Sequence, residues 1–277
     1  MIYENYYFKF FVKILLVPIF IFILIIRPLI HIIFISITTE KFGHFVEDTF
    51  LQHVYLEKKF KFNSLIKIKI LYGDKIIVNK KLLEFWKQIY FFSNKKYLIN
   101  LLLQVFKRFN KDKIFFIKSV HSLPHTIIMK DQVIPYKYPK DFLYSGEKIL
   151  EQLNIPKNTD WICVASRTNQ FDTDEINKNR PNEENYKSQY LKNNQNRNFN
   201  LDKIEPAIKK FLDNGYYVID MSYKDKSVLN IDNKQFIKNY RTDCNEEIGD
   251  IFLLSNSKLY FGADSGVNNF HRILNIP

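Results

Sequence analysis

Apolar residues follow three kinds of pattern along the 277-residue chain, and each kind predicts a different element. The first is an unbroken run, Ile14 to Ile26, reading ILLVPIFIFILII between Lys13 and Arg27. A helix that crosses a bilayer needs about 20 apolar residues, and runs of about 10 to 14 are more often interfacial, re-entrant or buried. Apolar character resumes from Leu29 to Ile37, broken only by His31 and Ser36, so the whole region also reads as one imperfect span. The expectation is a short or tilted membrane-associated helix over residues 1–28. A buried core helix shares the pattern, as does a signal peptide, although no small-residue cleavage site follows. Lys9, Lys13 and Arg27 suit lipid headgroups at the ends of such a helix.

The second pattern is the short apolar run rich in β-formers, and the third is apolar spacing of three and four. Leu29 to Ile37 reads as a buried parallel strand. It leads into Phe42-Gly43-His44-Phe45, expected as a tight glycine turn, after which Val46, Phe50, Val54 and Leu56 recur at helical spacing. Ile66 to Tyr72 and Lys113 to Ile117 are expected strands, and Lys80 to Phe92 and Tyr97 to Phe109 expected helices. Pro135 and Pro139 make the stretch from Asp131 to Asp141 the best place for a domain crossing. Beyond it, Ser145 is expected to cap a helix running to Leu153, with Glu147 in its first turn. Trp161 to Ala165 is a strand, Thr168 to Asn196 a long polar loop, and Asn200 the cap of a helix from Leu201 to Asp213 that stops at Gly215. Tyr216 to Met221 and Leu259 to Phe261 are strands, Glu246 to Ser255 and Val267 to Leu274 helices. Strands alternating with helices predict an α/β chain of doubly wound parallel sheets: two Rossmann-like lobes, residues 29–144 and 145–277, behind the N-terminal helix.

Composition changes this picture little. Hydrophobic residues at 46% and charged residues at 25% exclude a disordered chain. The net charge of +12 favours anionic partners, whether a phospholipid surface, a nucleic acid or a phosphorylated small molecule. No helix-turn-helix, zinc-finger or RNA-binding aromatic motif accompanies the charge, so nucleic acid is not an expected partner. Cys163 and Cys244 are isolated, which suggests neither a disulfide framework nor a structural zinc and fits a reducing cytoplasm.

Candidate chemistry gathers at predicted strand ends. In Leu259-Tyr260-Phe261-Gly262-Ala263-Asp264-Ser265-Gly266 a strand gives way to a small-residue loop and then a helix, which aims free backbone N–H groups and the positive end of the helix dipole at one spot. A phosphate fits there, and a plain capped turn is the alternative. Arg167 follows the strand Trp161 to Ala165, at the edge where open α/β sheets bind ligands. Its guanidinium suits a diphosphate, and Arg197 reaches the same cleft if the intervening loop folds back. A surface salt bridge is the competing reading of either arginine. Asp172-Thr173-Asp174 has the spacing of a carboxylate pair that binds Mg²⁺ or Mn²⁺, but its polar surroundings favour a solvated loop.

The joint order of these motifs resembles an uncharacterised bacterial glycosyltransferase family with two Rossmann-like domains, the GT-B type, linked to surface polysaccharide or lipopolysaccharide synthesis. The matching stretches are Lys41-Phe42-Gly43-His44, Ala165-Ser166-Arg167, Asn196-Arg197-Asn198 through Ile204, Gly249-Asp250-Ile251-Phe252-Leu253-Leu254, and Gly262 to Gly266. Lys41 stands where the family has Arg, and Ala165 where it has His. The resemblance implies transfer of a sugar from a nucleotide diphosphate donor to a glycan or glycolipid acceptor, without metal or other cofactor. The donor would lie mostly on the C-terminal lobe against Arg167, Arg197, Asp264, Ser265 and Gly266, and the acceptor mostly on the N-terminal lobe. His44 is the candidate general base with Glu47 and Asp48 as rivals, and a structural role is the alternative for His44. The expected setting is a membrane surface with the catalytic lobes in the cytoplasm. The resemblance also implies a C-terminal lobe cut short at Pro277, for which a non-catalytic, membrane-bound binding or scaffold protein of the same fold is the alternative.

Overall fold

A helix apolar on every side has no face to turn to water, and among the described residues one seam of the first helix is buried. In the computed structural model, which describes residues 2–59, 65–73, 76–117, 140–179, 182–222, 229–238, 246–263 and 266–274, helix α1 spans Ile2–Ile26. Leu16, Phe20 and Ile23 are buried at spacings of four and three, while Phe11, Ile14, Leu15, Phe22 and Ile25 are exposed. The window Lys9–Ile26 has a mean hydropathy of 2.7 and is 17% buried, so by length and composition it is able to cross a membrane.

The chain divides into two compact units, Met1–Gln132 and Val133–Pro277. In the first, strands β1 (Ile30–Ser36), β2 (Ile66–Tyr72), β3 (Phe91–Ser93) and β4 (Phe116–Ile117) form a wholly parallel sheet in the order β3-β2-β1-β4. Helices α2 (Phe42–Lys59) and α3 (Lys80–Lys87) make the crossovers in one direction, and α4 (Lys96–Arg108) makes the return crossover. Because such crossovers are right-handed, reversing direction places α4 on the opposite face. There α4 meets α1: Leu16, Phe20 and Ile23 join Phe34 of β1, Leu102, Val105 and Phe106 of α4, and Phe115 and Phe116 in one buried cluster. Phe20 stands edge-on to Phe106 at 4.8 Å and stacks on Phe109 at 4.7 Å.

The second unit repeats the plan. Strands β5 (Trp161–Ala165), β6 (Tyr217–Asp220), β7 (Phe236–Ile237) and β8 (Leu259–Gly262) are parallel in the order β7-β6-β5-β8. Ile162 and Val164 pack with Ile208 and Leu212 of the helix Glu205–Asp213. Trp161 and Cys163 point the other way and bond to the Leu253 carbonyl, at 2.9 and 3.6 Å, on the helix Glu246–Asn256. Period-two alternation of one strand thus feeds two helical layers. The fold is α/β with two parallel four-stranded sheets.

Several local expectations are corrected. The first crossover helix starts at Phe42, with Phe45 N–H bonded to the Lys41 carbonyl at 2.9 Å, so Gly43 and His44 lie in its first turn and form no separate glycine turn. The helix expected from Lys80 to Phe92 stops at Lys87, where Gln88 and Ile89 close it with short-range bonds to Phe85 and Trp86, and Phe91–Ser93 is a strand. Asp112–Phe115 is a helical turn before the two-residue β4. Ser145 sits inside a helix, Lys140–Gln152, and donates to the Asp141 carbonyl at 2.8 Å instead of capping an end; Asp141, not Glu147, occupies the first turn. Gly215 has φ +82°, the left-handed stop its position calls for. The proposed crossing at Pro135 and Pro139 lies outside the described residues, as does Cys244.

His31 on β1 is 2% exposed, and its Nε2–H donates to the Ile114 carbonyl at 3.0 Å. Burial holds its pKa below the usual 6.5 against that hydrogen bond, with Arg27 and Lys67 adding repulsion. A histidine held neutral in the folded state takes up a proton more readily when unfolded, so stability falls as pH drops through about 6.5. The melting temperature is expected to fall between pH 7.5 and 5.5, and to fall less in His31→Gln, as thermal unfolding at both pH values checks.

Candidate functional site

In both sheets the strand order reverses beside the first strand, between β1 and β4 and between β5 and β8. Such a reversal opens a crevice at the carboxyl ends of the strands, because the helices leaving the two neighbours diverge to opposite faces. Each unit therefore carries one crevice built by topology alone.

In the second unit the crevice is bounded by the exits of β5 and β8. Ala165 pairs with Gly262, and Ala263 N–H donates to the Ala165 carbonyl at 3.0 Å. Gly262 is required by this approach: a Cβ there would meet the backbone carbonyl oxygen and nitrogen of Ala165. Tyr260 donates its hydroxyl to the Ala263 carbonyl at 3.0 Å, holding the residue that follows β8. The helix Gly266–Leu274 begins four positions after β8 ends, so its N-terminal N–H groups open at the same sheet edge as the end of β5. Asp264 and Ser265 lie outside the described residues.

Arg167 leaves β5 at that edge and is half-buried. Its backbone forms an antiparallel bridge with Phe199, with N–H to carbonyl distances of 2.9 and 2.8 Å. Asn198 Nδ2 donates to Asn169 Oδ1 at 3.0 Å and extends this zipper. The segment before Phe199 is thereby folded back onto the end of β5. Arg197 lies two positions before the bridge on the 3₁₀ turn Gln195–Arg197, exposed, with Nη1 donating to Asn194 at 3.3 Å. The intervening residues form two helices, Gln170–Asn179 and Glu184–Asn194, in place of the expected loop. Their surfaces are polar, so they carry no apolar periodicity to read. Positions 172 and 174 fall on the first of them, two apart, a spacing that does not share a helix face. Asp174 accepts from Gln170 Nε2 at 2.8 Å. Among the described residues no three of His, Cys, Asp and Glu come together as a metal site.

Sequence reasoning missed a polar network at the same edge. Asp220, wholly buried at the end of β6, accepts from Ser222 N–H at 2.9 Å. Ser222 Oγ in turn accepts from Ser166 N–H at 2.8 Å and Ser166 Oγ at 2.9 Å. Ser166 is thus clamped immediately before Arg167. The available signal was Asp220 at a strand end with Ser222 two residues on, the spacing of an Asx turn.

In the first unit the crevice edge carries the first turn of α2. His44 Nδ1 lies 3.7 Å from Asp48 Oδ2, one turn along the helix, with the histidine side chain 44% exposed and the aspartate 3%. Glu47 between them is partly buried. Gln52 Nε2 donates to the Ser36 carbonyl at 2.8 Å, tying this helix to the exit of β1. At the exit of β2, burial raises the pKa of the Tyr72 phenol against the lowering effect of its bond with Ser36.

No family model and no curated protein matches this chain. Among solved structures it is similar to TibC, described as a bacterial iron-containing dodecameric glycosyltransferase from enterotoxigenic E. coli, with 12% identity and a TM-score of 0.42 over 91% of this chain and 57% of that one. The chain thus spans little more than half the length of that protein.

The close approach of β8 to β5 yields a direct test. Gly262→Ala places a methyl against the backbone, where no side-chain rotamer change relieves it, and is expected to cost about 1–3 kcal/mol. Urea unfolding of the variant beside the parent measures the loss.

Proposed function

We propose that the protein is a glycosyltransferase that moves a sugar from a nucleoside diphosphate donor to a glycan or glycolipid acceptor at a membrane surface, without a metal ion. The observation that carries this reading is the crevice between β5 and β8, which gathers a clamped arginine and the start of a helix at one sheet edge. Cleaving the bond from sugar to diphosphate leaves negative charge on the departing oxygens. A guanidinium and free backbone N–H groups at fixed positions stabilise that charge without reorganising during the reaction. Arg167 is the principal diphosphate contact, and Arg197, Asp264, Ser265 and Gly266 complete the donor site.

On the acceptor side the chemistry needs a base for a sugar hydroxyl. The His44 side chain is partly exposed and Asp48 sits buried one turn behind it, so His44 takes the proton and Asp48 orients the ring. Glu47 remains a rival base, and substitution of His44 with donor hydrolysis and transfer both measured separates the two. The resemblance in motif order described above supports the same assignment.

The donor prediction is quantitative. Arg167→Ala should weaken binding of a nucleoside diphosphate by about 1.5–3 kcal/mol, the worth of a charge-assisted hydrogen bond, and leave the unphosphorylated nucleoside unaffected. EDTA and the pair Asp172→Asn with Asp174→Asn should leave both affinities unchanged. Calorimetric titration of a nucleotide panel measures this, and equal diphosphate affinity in parent and Arg167→Ala removes the donor site from the proposal.

The membrane reading needs a different variant from simple removal of residues 1–28, because Leu16, Phe20 and Ile23 belong to the core of the first unit. Replacing the exposed Ile14, Leu15, Phe22 and Ile25 by Ser leaves that seam intact. The variant is expected to lose flotation with vesicles that retain the parent protein; a parent that stays with the soluble fraction overturns membrane association.

A further inference from the structure

Where α1 lies across the first unit it does not close completely against α4. Between them a cavity of about 290 Å³ remains, close to the lower end of the range typical of small-molecule sites, about 300–1,000 Å³. Its floor is the sheet, through Phe34 of β1 and Ile70 of β2, which are register partners. Its walls are Leu16 and Ile19 of α1 and Leu98, Ile99 and Leu102 of α4. Only Ser93 and Lys95 bring polar atoms to the lining, and both belong to the segment that enters α4.

We propose that this slot holds an acyl chain of an anionic membrane phospholipid, with the headgroup phosphate at Lys95. Three observations favour that occupant over water or a peptide. The lining is apolar throughout its depth, so water there would find too few hydrogen-bond partners. Ile19 and Leu98 line the slot and are 47% and 46% exposed, so its wall is continuous with the outward apolar surface of α1 that the membrane reading places in lipid. The polar end is cationic: Lys95 makes no ion pair among the described residues, and it stands at the start of α4, where its own side chain caps nothing and Ser93 Oγ accepts from its N–H at 3.2 Å. A 13-residue helix presents its positive end there, which favours a phosphate. An apolar tail and an anionic head are the two ends of one phospholipid.

The inference rests on the membrane reading of α1 but not on glycosyl transfer. The test uses the full chain purified in detergent and a phosphatidylglycerol analogue with a photoreactive group within one acyl chain, compared with the phosphatidylcholine analogue. Cross-links mapped by peptide mass spectrometry are expected on Leu16, Ile19, Leu98 and Leu102. Leu98→Trp at the rim and Ile70→Trp at the floor should each reduce them at least fivefold, with thermal unfolding of both variants checked against the parent. Lys95→Glu should reduce labelling by the phosphatidylglycerol analogue at least fivefold and leave labelling by the phosphatidylcholine analogue unchanged. Label confined to the outward residues Phe11, Ile14, Leu15, Phe22 and Ile25, or undiminished by either Trp substitution, overturns the slot. Labelling insensitive to Lys95→Glu overturns the anionic headgroup. Failure of the protein to float with vesicles counts against the membrane reading itself, so the two failures are told apart.

Discussion

The contact on which the candidate donor site depends is between two backbones. β8 runs so close to β5 at Gly262 and Ala165 that a single Cβ on the glycine would collide with the neighbouring peptide. With the strands in that register, both chains leave the sheet at one level, and whatever follows them shares one edge. Arg167 follows β5 by two residues and the start of the last helix follows β8 by four. Their association is a property of strand pairing, which is why residues almost a hundred positions apart belong to one crevice.

Around this contact the unit spends polar interactions on rigidity. The Asp220, Ser222 and Ser166 chain holds the peptide before Arg167, and the Phe199 bridge holds the arginine's own backbone. A guanidinium on a loose loop loses rotamer and backbone entropy each time it engages a ligand. One whose backbone is fixed from both sides loses less, so more of the interaction energy appears as affinity.

The sheets and most of their helices were legible because buried parallel strands read as β-branched apolar runs and amphipathic helices as apolar spacing of three and four. β1 and β5 illustrate the first, and the helices holding Ile208 with Leu212 and Ile251 with Leu254 the second. What escaped has physical reasons. β3 and β7 are three and two residues long, too short for alternation to show, and of the strand expected from Lys113 to Ile117 only Phe116–Ile117 forms, as β4. The helices over 170–179 and 184–194 have polar surfaces and therefore no hydrophobic stripe. In the candidate site, Arg167 and Arg197 drew notice by charge and position, whereas Ser166 and Ser222 act only through a tertiary contact 56 residues apart in sequence, which no local pattern displays.

The packing of Phe20 on Phe106 also has a consequence for biosynthesis. α1 leaves the ribosome before α4, so its seam is fully covered only when α4 follows, and at roughly 5–20 residues per second that interval is on the order of ten seconds. Throughout it the most apolar of the described helices lacks the α4 side of its packing. A nascent helix in that condition is bound by whatever apolar phase is nearest, a bilayer surface or a chaperone. The first unit therefore completes its core by recovering one face of α1 from that phase, and its folding is coupled to where its N-terminus resides while the rest of the chain is being made.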